Sequence, residues 1–331
     1  MALGAPSARM EGAFARGTRR RAIAHVLRIP ERATTFEARG FAETPAPVRV
    51  ALELHGLCFA DGFNSAVREA DGDALEAALE AFPREERGFA YEGAAMGVAL
   101  LDLLTPWSAR RFAAFLRRES TARHVYMAHV GAGWALARLR RRPWGGLPLD
   151  PLLRWLALDG YGFHQAFFRP GRYVRSHLEP AGLPAGGARI FDQGVGRALW
   201  FVEGADPDRI ARTIESFPAG RRPDLWSGAG LAATYAGAVT PAELERLRAL
   251  AEPFELQLAQ GAAFAAAARL HAGNVVPHTE EATRVLCGLD VEAVAAVTDR
   301  ARAQAAGDTA ADYERWRTAI RSALRRVPVP G

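Results

Sequence analysis

The stretch Asp206-Pro-Asp-Arg-Ile-Ala-Arg-Thr-Ile-Glu-Ser-Phe-Pro218, closed by Leu225-Trp-Ser-Gly228, decides the fold because it occurs twice. At one constant offset and without a gap, Asp71, Asp73, Leu75, Leu79, Glu80, Phe82, Pro83, Tyr91 and Gly93 stand where Asp206, Asp208, Ile210, Ile214, Glu215, Phe217, Pro218, Trp226 and Gly228 stand. Gly131-Ala-Gly-Trp134-Ala likewise returns, at a slightly smaller offset, as Gly261-Ala-Ala-Phe264-Ala. Self-similarity of this kind marks a repeat architecture.

Glycines give the period. Gly62, Gly93, Gly131, Gly162, Gly194, Gly228 and Gly261 follow one another at intervals of 31, 38, 31, 32, 34 and 33. Four positions after each stands a small residue: Ala66, Gly97, Ala135, Ala166, Ala198, Ala232 and Ala265. Positions i and i+4 share one helical face, so each unit carries a stripe that admits a close neighbour. The intervening segments carry helix-start signals, Asp206-Pro207, Asp150-Pro151 and Thr240-Pro241-Ala-Glu243. Two helices per roughly 33 residues is the period of a tetratricopeptide-like solenoid. The usual Trp/Leu/Tyr/Pro consensus is absent, so the expectation concerns architecture. It is an all-α superhelical solenoid of antiparallel helix pairs, about eight units in two duplicated blocks, with a closed α/α toroid as runner-up. The blocks are expected at 31–190 and 191–331 of one continuous solenoid, behind a flexible basic arm at 1–30.

Composition narrows the function. The chain has 331 residues and only two cysteines, Cys58 and Cys287, which supports neither a disulfide framework nor a four-thiolate zinc site and fits a reducing cytoplasm. No apolar run approaches the ~18 residues of a membrane span. The net charge of +5 comes from 42 arginines and no lysine, a bias that fits a GC-rich bacterial gene. Residues 1–40 carry +5, residues 41–106 carry −8, residues 107–142 carry +8, and the rest balances. A neutral body argues against nucleic acid as partner.

Several strings have a family likeness: Gly88-Phe-Ala-Tyr-Glu-Gly-Ala-Ala-Met96, Asp159-Gly-Tyr-Gly-Phe-His164, Phe191-Asp-Gln-Gly-Val-Gly-Arg-Ala-Leu-Trp-Phe201 and Asp224-Leu-Trp-Ser-Gly228. From about Thr35 to about Ile320 the chain resembles the UnbL-like family, found in bacteria among genes for enediyne biosynthesis. The resemblance carries no reaction and no catalytic residue; it implies a setting, the maturation of a polyketide-derived polyene.

No recognised catalytic, cofactor or metal motif is present. Gly194-Val-Gly196 lacks the strand and the spacing of a dinucleotide fingerprint. His124 and His129, five apart, point different ways on a helix and make no metal pair. Candidates therefore come from the inner-helix face opposite the small-residue stripe, at positions −1, +2, +3 and +6 from each anchor. That face offers Asp61, Asn64, Trp134, Tyr161, Gln165, Gln193, Arg197, Trp200, Ser227 and Gln260 as ligand-binding residues, with Tyr91 beside it. Glu92 and His164 are the acid–base candidates, and a buried Glu92 beside aromatic rings should have a raised pKa. The small side chains two places beyond five of the seven anchors read as leaving space for an elongated apolar polyketide or polyene, whose oxygenated group Arg197 would hold. A scaffold that docks biosynthetic enzymes is the alternative. The competing structural account is a strongly wound stack whose inner polar residues hydrogen-bond one another.

Overall fold

Outer segments with helix caps and inner segments rich in small residues fold as the two layers of one superhelix. The computed structural model describes residues 22–69, 71–105, 110–139, 147–305 and 307–326, and no strand occurs among them. In chain order the principal helices are α1 (Ala46–Arg68), α2 (Gly72–Glu80), α3 (Arg87–Leu104), α4 (Arg111–Leu116), α5 (Glu119–Arg123), α6 (Val125–Arg138), α7 (Leu156–Phe168), α8 (Gly187–Val202), α9 (Pro207–Ser216), α10 (Arg222–Ala236), α11 (Pro241–Leu250), α12 (Glu255–His271), α13 (Pro277–Cys287), α14 (Val291–Gln304) and α15 (Ala310–Leu324).

The anchor glycines all lie inside α1, α3, α6, α7, α8, α10 and α12, which pack in that order, with α14 last, as the inner layer. The start signals act as expected. Asp206 accepts from the Arg209 amide at 2.8 Å, Thr240 and Glu243 form a reciprocal capping box, and Asp150 accepts from the Leu152 and Leu153 amides ahead of α7. Outer helices α9, α11 and α13 stack on one another. The pairing is not uniform. Among the described residues the α6–α7 connection carries only the 3-10 turn Leu153–Trp155, and the α7–α8 connection only the π-type turn Gly171–Arg175.

The duplication reaches individual hydrogen bonds. Arg87 donates to the Phe82 carbonyl at 3.0 Å and the Glu80 carbonyl at 2.7 Å; Arg222, its counterpart in the second copy, donates to Phe217 at 2.9 Å and Glu215 at 2.6 Å. Each arginine ties the turn between its outer and inner helices. The expected block boundary at 190/191 falls inside α8.

Winding is tight. Helices α10 and α12 return against α1 and α3: the His55 ring meets the Ala236 carbonyl at 3.0 Å, Arg269 donates to the Glu85 carbonyl at 2.7 Å, and Phe89 and Tyr235 pack edge to face. The start of the chain is also engaged. Residues 1–21 of the expected arm lie outside the described residues, but 22–27 are helical, and Ile29 is buried with its amide and carbonyl both bonded to the Asn64 side chain at 2.9 Å. The described part of that expected arm is therefore held against α1, because Asn64 completes the backbone bonds of residue 29.

Candidate functional site

The site is set by how inner helices approach. A Cβ built on Gly62 would lie 2.0 Å from the Ala90 carbonyl oxygen, and one on Gly93 1.9 Å from the Phe59 carbonyl oxygen. Each glycine thus covers the carbonyl three residues before its partner. The same reciprocal geometry joins Gly133 with Gly160, Gly162 with Gly194, Gly196 with Gly228 and Gly230 with Gly261, while Gly131 meets the Glu92 carbonyl beside Ala95. Every inner helix from α6 to α10 therefore uses two glycines two residues apart, one for the helix before and one for the helix after.

Two corrections follow. The glycines two places beyond the anchors, Gly133, Gly196 and Gly230, do not leave open space, since they seat the next helix's backbone. Gly62 and Gly162 face forward whereas Gly93, Gly131, Gly194, Gly228 and Gly261 face back, so the register slips by two residues in the first and fourth units. In the common register Gly160 is the fourth anchor, and the preceding position then reads Glu92, Val130, Asp159, Gln193, Ser227 and Gln260 along the stack. Asp159, which the sequence reading left out of its site, belongs beside Gln193.

These residues form a buried polar row. Trp134 donates to Glu92 Oε1 at 3.0 Å, and Arg197 lies 3.7 Å from the same oxygen and pairs closely with Asp159 Oδ1. Gln193 donates to Asp159 Oδ2 at 2.8 Å, Ser227 donates to Gln260 Oε1 at 3.0 Å, and Arg317 donates to that oxygen at 3.0 Å while pairing with Asp224 at 2.8 Å. Glu92, Asp159, Arg197 and Arg317 are all buried. Burial pushes the Glu92 carboxyl up to about 7; Asp159 adds to the rise and Arg197 opposes it. A carboxyl near 7 holds and releases a proton at neutral pH.

Two apolar chambers meet at this row. The first is lined by Phe59, Phe89, Trp134, Phe163, Phe167 and Phe168, with Glu92, His55 and Arg197 in its wall; its cavity volume is about 50 Å³. The second, between Met127, Phe264, Ala268 and Trp316, has a cavity volume of about 40 Å³. Arg197, Leu231 and Tyr235 border both. At roughly 10–15 Å³ per water, either chamber holds a few waters as it stands. A longer guest requires the rings to move apart.

The predicted residues divide accordingly. Glu92, Trp134, Gln193, Arg197, Ser227 and Gln260 come together in the row and its walls. Asp61 is exposed, and Asn64 holds Ile29. Tyr91 turns outward, donating to Glu80 at 2.7 Å and stacking on His124. Tyr161 is buried near the Phe191 ring, Gln165 donates to the Tyr173 hydroxyl at 3.1 Å, and Trp200 donates to the Gly237 carbonyl at 3.0 Å. His164 lies between the Trp134 and Phe168 rings; burial lowers its pKa to about 3, so it stays neutral. Arg197 borders both chambers, but Asp159 and Glu92 already meet its charge. The residues missed are Asp159, Arg317 and Tyr235 and the phenylalanines of the first chamber. The paired glycines Gly131/Gly133, Gly160/Gly162, Gly194/Gly196 and Gly228/Gly230 were the signal that would have placed Asp159.

Gly194 and Gly196 lie mid-helix against the Asp159 and Leu225 carbonyls and form no phosphate loop. His129 donates from Nδ1 to the Val125 carbonyl at 2.8 Å and accepts from the Asp150 amide at 3.0 Å, which fixes its tautomer. Among the described residues no group of three or more His, Cys, Asp or Glu is placed to hold a metal ion, and no helix is long and apolar enough to cross a membrane.

The family model of a protein of unknown function, DUF1702, matches residues 17–324, and the chain belongs to that family. No curated protein and no solved structure matches it.

Proposed function

We propose that this DUF1702 chain holds an elongated apolar small molecule inside its superhelix, across the two chambers that meet at Arg197, Leu231 and Tyr235, with Glu92 as the group that exchanges a proton with it. The observation that carries this reading is the pair of chambers, apolar and largely aromatic, with one proton-active carboxyl at their junction. The UnbL-like resemblance supplies the finer form: an unsaturated polyketide or polyene of enediyne assembly, handled in the bacterial cytoplasm. Docking of biosynthetic enzymes has less support, because the −8 and +8 segments partly neutralise each other. Arg111 pairs with Asp102 at 3.1 Å, and Arg118 pairs with Glu76 at 2.8 Å and with Asp73.

Retinol, a neutral conjugated polyene, tests the reading through its own fluorescence. The wild type should bind it saturably near one equivalent. Leu231→Trp, which fills the junction of the chambers, should abolish binding while circular dichroism stays helical. Absence of saturable binding to the wild type, or undiminished binding to the folded variant, would refute the proposal.

A further inference from the structure

We infer that the aromatic chamber is matched to an apolar ligand that carries, or develops, a positive charge. This deepens the proposal above and rests on the chamber being a ligand site. The first observation is a charge imbalance. Around the junction stand two buried carboxylates, Glu92 and Asp159, and among the described lining residues Arg197 is the single guanidinium. Behind the lining stand one further carboxylate and one further guanidinium, which offset each other: Glu86, whose Oε2 faces His55 Nδ1 at 2.8 Å, and the buried Arg269, whose guanidinium carbon lies 4.2 Å from the Tyr235 ring centre and which donates to the Glu85 carbonyl at 2.7 Å. The junction therefore holds one negative charge in excess when Glu92 is ionised. A proton on Glu92 can neutralise it, and so can a cation entering the chamber. A ligand carboxylate would instead add a third buried anion to one guanidinium, which low-dielectric surroundings penalise heavily.

The second observation is the wall itself. Phe59, Phe89, Trp134, Phe163, Phe167 and Phe168 surround the space, and aromatic faces attract cations within about 6 Å of the ring centre. The chain already uses two of these rings in this way. The Arg197 guanidinium carbon lies 5.0 Å from the Phe163 centroid, and that of Arg39 lies 5.1 Å from Phe168. An excess carboxylate beside an aromatic box is the combination that holds quaternary ammonium groups, and it equally favours positive charge spread along a protonated polyene.

Dodecyltrimethylammonium, 1-dodecanol and dodecanoate, each below its micellar concentration, share one chain length and differ in charge. Titration calorimetry at pH 8 should show the ammonium binding at least tenfold more tightly than the alcohol and the carboxylate weakest. Glu92→Gln, which keeps shape and removes the charge, should reduce the ammonium's advantage over the alcohol to within about twofold. The chain's net charge of +5 favours dodecanoate at the surface, so a preference for the ammonium cannot come from nonspecific attraction. Tightest binding by dodecanoate, or an ammonium advantage that survives in Glu92→Gln, would overturn this inference while leaving the chamber a ligand site. Failure of all three probes to bind would overturn the ligand site itself, and this inference with it.

Discussion

Replacing Gly228 by alanine adds one methyl group, and in an isolated helix that change stabilises by about 1 kcal/mol. Here the added Cβ would lie 2.0 Å from the Gln193 carbonyl oxygen and 2.5 Å from the Arg197 amide nitrogen. Both are backbone atoms of α8, so no change of rotamer relieves the clash. An ordinary contact of roughly 3.5 Å requires α8 and α10 to part by about 1.5 Å, which forfeits dispersion along their whole interface. Overpacking of this kind costs about 1–3 kcal/mol and more where backbone is the obstacle. The expected outcome is a net loss of about 2 kcal/mol or more, opposite in sign to helix propensity. Guanidinium denaturation followed by circular dichroism measures it, with Gly171→Ala as control, since its added Cβ would meet nothing nearer than the Arg175 side chain at 3.7 Å. The control should fall within about 0.5 kcal/mol of wild type. A Gly228→Ala protein as stable as wild type, or more so, would refute the account of the inner layer.

Two further outcomes concern the buried charges. Glu92 has a folded pKa of about 7, above the ~4.3 of an unfolded glutamate, so its contribution to stability is fully present below that lower value and is lost as pH rises through 7. Relative to Glu92→Gln, wild type should therefore lose about 2–3 kcal/mol between pH 5 and pH 8; a difference independent of pH would contradict the burial argument. Arg197→Ala leaves Asp159 and Glu92 without their shared cation and should cost about 3–5 kcal/mol. Adding Asp159→Ala to it should cost less than Asp159→Ala alone by at least about 1 kcal/mol, and strict additivity would show that the pair does not interact.

Much of this was legible in the sequence because it is local. Asp206, Thr240 and Asp150 cap helices through amides two or three residues away, so their roles can be read from neighbours alone. The raised pKa of Glu92 was legible too, from an acid set in a run of small and aromatic residues. The groove was not. Whether a glycine marks a space or a contact depends on what lies across from it, and across from Gly133, Gly196 and Gly230 lies the backbone of the following helix. Tyr91 was misread for a similar reason: its neighbour Glu92 points inward, and one step of about 100° carries Tyr91 to the outer layer.

The sequence by itself determined that the chain is a stack of helices built on small-residue stripes, since a period of 3.6 within helices and one near 33 between them are properties of spacing. Only the tertiary structure decided which glycine of each pair faces back and which forward, and with that the alignment of Glu92, Asp159, Gln193, Ser227 and Gln260 into one row. It also decided that Arg197 belongs to Asp159, 38 residues away, and not to its near neighbour Asp192, which pairs with Arg221. The physical reason is the depth of packing. Where backbones touch through glycine, a two-residue shift changes which side chains meet at the axis, and no pattern along one helix records that choice.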